Sequence, residues 1–152
     1  VCTPGQIQRY MNKISGPLLD RIDIQIEITP VPFKDISRAA PGESSDVIRE
    51  RVIKARHIQE ERFRECKGVH CNAQMSERMI HQYAEPGEDG IEMLRMAMER
   101  LNLSARAYNR ILKVARTIAD LEASERVLPQ HLAEAISYRN LDRSDWAERG
   151  GA

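Results

Sequence analysis

Two arginines stand where a positive charge could act on a bound phosphate. Arg106 is the second residue of a predicted helix that Ser104 caps, and the free N–H groups and positive dipole end of such a first turn favour an anion. A guanidinium there can add two parallel hydrogen bonds to the same anion. Arg21 ends a short predicted helix and precedes a predicted strand, so its side chain can project beyond a domain edge. From spacing alone, an ordinary surface arginine is the commoner interpretation of each.

The cysteines and histidines favour no metal or nucleophile site. Cys66 and Cys71 flank His70 at a spacing that permits zinc, but further ligands would have to come from more distant residues. The candidates for these ligands are Cys2, His57 and His81. The simpler interpretation is that Cys66 and Cys71 are ordinary thiols at a helix end, so we expect no metal. The roles of the three cysteines stay open. The sequence also has no glycine-rich phosphate loop and no H-E-x-x-H motif.

Residues 22–29 alternate isoleucine with polar residues, a period that predicts a β-strand with one buried face. A strand needs a neighbour to satisfy its backbone groups, and no later stretch has a comparable pattern. We therefore expect the chain to be the C-terminal part of a larger protein. Residues 1–30, which also carry two short predicted helices, would be the remnant of its sheet domain.

The remainder of the chain has a helical pattern. Residues 31–43 are punctuated by Pro32, Pro41 and Gly42 and predict a linker. Residues 44–143 then predict a bundle of five helices, and residues 144–152 predict a disordered tail. The predicted starts are Ser44 or Ser45, Ser76, Gly90, Ser104 and Pro129. The fold class is therefore mainly α, a helical bundle preceded by a strand that belongs to a sheet outside it.

Composition narrows the function classes. Lys plus Arg and Asp plus Glu are both 23, so the net charge is zero, which argues against a dedicated polyanion binder. No apolar run approaches the roughly 18 residues of a membrane span, so we expect no membrane partner. Three cysteines, an odd number, suggest no disulfide framework. We take the cytoplasm as the default location.

Three blocks of the chain resemble the ComM (YifB) group of Mg-chelatase-like AAA+ ATPases. They are Tyr10–Asp23 (YMNKISGPLLDRID), Leu103–Glu122 (LSARAYNRILKVARTIADLE) and His131–Arg139 (HLAEAISYR). The blocks occur in family order, and by length and residue choice they are quite specific. Magnesium chelatase ATPase subunits and MCM helicases are more distant relatives. The resemblance implies that residues 44–143 are the helical lid of such an ATPase. It also implies that the predicted strand is the last, edge strand of the truncated α/β core.

The resemblance also implies roles for three arginines. Arg21 matches the arginine finger that such proteins present to ATP bound in the neighbouring subunit. Arg106 matches the sensor-2 arginine, which reaches the γ-phosphate in its own subunit, and Arg110 is a weaker candidate for the ATP phosphates. The partners implied are an upstream AAA+ core and a homo-oligomeric ring, expected to be a hexamer. The implied function is ATP hydrolysis in a DNA-translocating, helicase-like motor connected with competence.

The family's phosphate-binding loop, magnesium-coordinating strand and sensor-1 region do not occur in this sequence. ATP and Mg²⁺ are therefore expected as cofactors of the full-length protein, whereas the fragment alone should bind neither and should be inactive. The alternative is a stand-alone helical DNA-binding or protein-interaction module, in which the last two helices form a loose helix-turn-helix. Asp120, Glu122 and Glu125 near that turn argue against the alternative, because DNA would repel them.

Overall fold

The computed structural model of the chain describes residues 3–11, 13–26, 28, 30–32, 42–101 and 103–139. These residues form seven α-helices: α1 (Pro4–Met11), α2 (Gly16–Leu19), α3 (Ser45–Arg62), α4 (Glu77–Tyr83), α5 (Glu88–Leu101), α6 (Ala105–Leu121) and α7 (Pro129–Ser137). A 3-10 turn at Asn72–Gln74 lies between α3 and α4. The predicted mainly helical class is confirmed. Most of the predicted linker and the predicted tail lie outside the described residues.

Serine caps begin three of the helices where the sequence predicts them. The hydroxyls of Ser44, Ser76 and Ser104 each accept a hydrogen bond from the backbone N–H three residues later, over 3.4, 3.4 and 3.2 Å. Each bond satisfies one of the N–H groups that a helix start leaves without a partner. The fifth helix of the bundle, α7, begins at Pro129 as predicted, because proline has no N–H to leave unsatisfied at that position.

Helix α6 is the centre of the bundle, and α3, α4, α7 and the 3-10 turn all pack against it. Its predicted apolar stripe is buried almost completely at Ile111, Leu112, Ala115 and Ala119. Neighbouring elements complete the core with Phe63, Met75, Ile80, Leu94, Val127 and Leu132. Each large side chain removed from water in this way contributes about 1.5–3 kcal/mol, so burial of one helix face accounts for the position of α6.

Gly90 sets how closely α5 approaches α7. A Cβ at this position would lie 2.6 Å from the Cβ of Pro86 and 2.7 Å from Cδ1 of Leu132, well inside ordinary contact distance. Only glycine leaves room for that approach. The helix begins at Glu88 rather than at Gly90 as predicted, so the glycine lies within its first turn.

A buried polar cluster joins α3, the 3-10 turn and α6. The Asp120 carboxylate is 1% exposed and accepts from Arg62 Nη1 and Nη2 at 2.7 and 2.5 Å. It also accepts from Asn72 Nδ2 at 2.8 Å and from Arg116 Nε at 3.1 Å. Burial lowers the pKa of Arg116, an effect that the nearby Asp120 charge opposes. The acidic residue that argued against DNA binding is thus an internal anchor.

The predicted strand is not formed by the described residues of 22–29, and Glu27 and Thr29 lie outside them. No strand occurs among the described residues, so the segment has no ladder to join. Its backbone is bound instead by a residue that follows α7, since the Gln25 N–H donates to the Tyr138 carbonyl at 2.9 Å. Ile22, Ile24 and Ile26 remain 38%, 49% and 64% exposed.

The first half of α3 also differs from expectation. Ile48 and Val52 belong to the predicted apolar stripe, yet they are 41% and 42% exposed. The stripe is buried only further along, at Ala55 and Phe63. The described core therefore supports the second half of α3 and leaves its first half in solvent.

Candidate functional site

A groove of about 540 Å³ runs along α6, opposite the segment that contains Asp23 and Ile24. Its floor is apolar and includes Val114, Ile118 and Leu121. Three cations line it, namely Arg106, Arg110 and Lys113. Their spacing of four and three residues places them on one face of the helix, so the groove combines an apolar floor with a row of positive charge.

Arg106 is the exposed member of this row and lies in the first turn of α6. Ser104 caps that turn with a hydrogen bond from the Ala107 N–H. Within the described residues, the Arg106 guanidinium has no hydrogen bond or ion pair of its own, so its donors are available to a ligand. The helix dipole adds positive potential at the same end. The position of Arg106 at the start of this helix is the one that the sequence predicted.

The other two cations already have protein partners. Arg110, which is half-buried, forms an ion pair with Asp23. Lys113 donates to the backbone carbonyl of Ala73 at 2.8 Å. Lys113 was not predicted as a site residue, although its position seven residues after Arg106 is a signal that could have identified it.

Arg21 is not among the residues that line the groove. It is exposed and follows α2, and its Nη1 donates to the Pro17 carbonyl at 3.1 Å. The structure therefore brings Arg106 and Arg110 into one groove and does not bring Arg21 into it.

The acidic groups of the groove are engaged by neighbours. Asp23 pairs with Arg110, and the Glu134 carboxylate accepts from the Tyr138 hydroxyl at 2.9 Å. That hydrogen bond to Glu134 raises the pKa of Tyr138, and burial adds to the effect. Arg106 is the cation of the groove that has no partner among the described residues, and its guanidinium fits a phosphate-bearing ligand. A guanidinium does not fit Mg²⁺, whose ligands are oxygen atoms.

The described residues contain no group of three or more His, Cys, Asp or Glu side chains that could hold a metal ion. Cys66 and Cys71 are free thiols, both half-buried, and the Cys71 Sγ lies 3.6 Å from the side-chain oxygen of Gln74. Cys2 lies outside the described residues.

Helix α7 buries one face of its first turn and exposes the other. His131 and Leu132 are completely buried, whereas Pro129 and Gln130 are exposed. His131 Nδ1 accepts from the Leu128 N–H at 3.0 Å, and Nε2 lies 2.9 Å from the Glu122 carboxylate. This histidine holds the turn between α6 and α7 together.

No helix in the described part of the chain has the length and apolar content needed to cross a bilayer.

Comparison with known proteins places the chain in a family. Residues 42–139 match the family described as magnesium chelatase, subunit ChlI C-terminal, and residues 1–36 match magnesium chelatase, subunit ChlI. Since the first match covers more than half of the chain, this protein belongs to the Mg-chelatase-like family, of which it represents a C-terminal region.

Individual relatives agree with this assignment. The chain is 44% identical over 144 residues to the protein named YifB of Salmonella typhimurium. It is 41% identical over 142 residues to Competence protein ComM of Haemophilus influenzae. Each alignment covers 93% of this chain but 27% of the relative, so the chain spans about a quarter of the length of the curated relatives that it matches. The predicted resemblance to the ComM (YifB) group is confirmed.

Proposed function

We propose that this chain is the lid region of a ComM-like AAA+ ATPase and that the groove along α6 receives the phosphates of ATP. The observation that carries the proposal is Arg106, exposed and without a partner among the described residues, at the positive end of α6. Arg106 would act as the sensor-2 residue on nucleotide bound by its own subunit. Arg110 and Lys113 extend the positive row behind it, so they would add to the potential that attracts phosphate.

Arg21 is proposed to act at a different nucleotide, the one bound by the neighbouring subunit. Its exposure and its position outside the groove support this division of roles. An arginine finger stabilises the charge that develops on the transferred phosphoryl group and contributes about 10³–10⁵ in rate in related enzymes. A finger that acts in trans requires a ring or another closed assembly, and a hexamer is the form that we propose.

Mg²⁺ would neutralise the phosphates and would be held by residues outside this chain, because the two carboxylates of the groove, Asp23 and Glu134, are engaged by Arg110 and Tyr138. The full-length protein is proposed to couple ATP hydrolysis to movement on DNA in the cytoplasm. Similarity to a relative named Competence protein ComM supports this part of the proposal.

A mixing experiment with the full-length protein tests the two arginine roles. Arg21→Ala and Arg106→Ala should each abolish ATP turnover alone. A phosphate-loop mutant still presents Arg21, and an Arg21→Ala subunit still has an intact loop. Mixing these two should restore turnover at hybrid interfaces. Mixing the phosphate-loop mutant with Arg106→Ala should restore none, because every site then lacks a residue that it needs in cis.

Arg95→Ala is the matched control. Arg95 is an exposed arginine of the same bundle, lies outside the groove and pairs with Glu92 and Glu99 on α5. Its removal should leave turnover unchanged. Equal rescue in both mixtures, or rescue in neither while subunit exchange is demonstrated, would contradict the proposed cis and trans roles.

A further inference from the structure

Arg139 reaches from the residues that follow α7 to both neighbours of Arg21 in the chain. Its side chain is 1% exposed. Nη1 donates to the backbone carbonyl of Ile22, and Nη2 lies 3.9 Å from the Asp20 carboxylate. Residues 20 and 22 are thus both within reach of one buried guanidinium, while Arg21 between them points to solvent.

Further contacts hold the same segment against the bundle. The Gln25 N–H donates to the Tyr138 carbonyl at 2.9 Å, and Gln25 Nε2 donates back to the Leu19 carbonyl at 3.3 Å. Asp23 forms its ion pair with Arg110 of α6. The backbone on either side of Arg21 is therefore fixed, although no regular secondary structure spans residues 22–26.

A fixed backbone with an exposed tip is what a presented catalytic group requires, since small displacements of a reacting group cost large factors in rate. We propose that Arg139 is a positioning residue for Arg21 and that Asp23, through Arg110, is the second anchor. This inference rests on the proposed function. As a consequence, the same lid would act at two nucleotide sites. It carries Arg106 for the site of its own subunit, and it positions Arg21 for the site of the neighbouring subunit.

The test uses Arg139→Lys in the full-length protein. Lysine keeps the charge but lacks the planar guanidinium group that can bond two oxygens. The segment around Arg21 should therefore no longer be held in a fixed position. We expect kcat to fall by about 10- to 100-fold with a smaller change in the KM for ATP, because the α6 side chains of the groove, Arg106 among them, are kept and only the wall with Asp23 and Ile24 is loosened. The defect should behave like that of Arg21→Ala, so mixing with the phosphate-loop mutant should restore turnover.

Leu94→Ala is the control for a purely structural effect. Leu94 is buried in the same bundle, and its truncation costs about 2–5 kcal/mol without touching residues 19–25. A loosened lid damages Arg106 in cis, so the phosphate-loop mutant should not rescue any loss that this variant shows.

Asp23→Asn keeps the test valid if Arg139→Lys does not fold. Asp23 is exposed, and its loss should give the same rescuable fall in kcat. Failure of rescue for both variants, in mixtures where Arg21→Ala is rescued, would overturn this inference and leave the proposed function standing. Failure of rescue for Arg21→Ala itself would instead remove the proposed function on which the inference rests.

Discussion

Replacement of Asp120 by asparagine should destabilise the bundle more than other single charge removals. The substitution preserves shape but removes the charge that two arginines share. Asp120 is 1% exposed, and it accepts four hydrogen bonds from Arg62, Arg116 and Asn72 at 2.5–3.1 Å. An asparagine amide turns one acceptor oxygen into a donor that faces other donors.

The expected loss of stability depends on which partners Arg62 and Arg116 keep in the variant. Breaking a buried ion pair costs about 3–5 kcal/mol, because the remaining charge is left uncompensated. The Arg62 side chain is 13% exposed and can recruit some water. Arg116 keeps its bonds to the Glu125 and Ser124 carbonyls at 2.9 and 2.5 Å. We therefore expect the lower end of the range, about 3 kcal/mol.

Urea unfolding followed by far-ultraviolet circular dichroism measures this change. With a slope of about 1–3 kcal/mol per molar urea, the midpoint should fall by about 1–3 M. Glu99→Gln is the control, because its ion pair with Arg95 is exposed on both sides and contributes little to stability. Equal midpoints for the two variants would refute the view that the Asp120 cluster anchors α6.

Three further outcomes are expected. Gly90→Ala should destabilise by about 1–3 kcal/mol in the same urea assay, because its Cβ would lie 2.6 Å from another Cβ, whereas Gly87→Ala meets nothing within 4 Å; equal midpoints would contradict the close packing. Ser104→Ala should cost about 1 kcal/mol, and an unchanged midpoint would show that the cap is unimportant. Hydrogen bonds from His131 and then Gln130 lower the pKa of Glu122. The ionised Glu122 side chain therefore stabilises the fold at any pH above the ordinary pKa of a glutamate, and this stabilisation is lost as the pH falls through the lowered pKa. The thermal midpoints of the parent and Glu122→Gln should therefore differ near about pH 7 and converge as the pH falls through the lowered pKa; a constant difference would contradict this.

Local signals explain most of what the sequence predicts correctly. Ser104 and the apolar stripe that follows it define α6 from adjacent residues alone, and Pro129 marks the start of α7 in the same way. Arg106 could be singled out because its helix start is itself a local feature. Its exposed side chain in the groove agrees with that prediction of position; its role stays a prediction.

Contacts between distant residues explain what could not be predicted. The Asp23–Arg110 pair joins residues 87 apart in sequence, and Arg139 and Ile22 are 117 apart. The sequence pattern predicts that Asp120 is a surface residue. Its burial could not be predicted, because the pattern does not show that Arg62 packs against it in the fold. The isoleucine alternation was correctly recognised, but a strand forms only where a neighbouring strand supplies a ladder.

ATP turnover by the full-length protein with Arg106→Ala tests the central claim most directly, since the whole account depends on the groove along α6 facing nucleotide. The measurement is steady-state hydrolysis, with Arg95→Ala as the control for removing an exposed arginine from the same bundle. The account predicts that turnover of Arg106→Ala falls at least about 100-fold, the scale of losing one preorganised charge contact in a transition state, while Arg95→Ala keeps the parent rate. Turnover of Arg106→Ala equal to that of Arg95→Ala would contradict the claim.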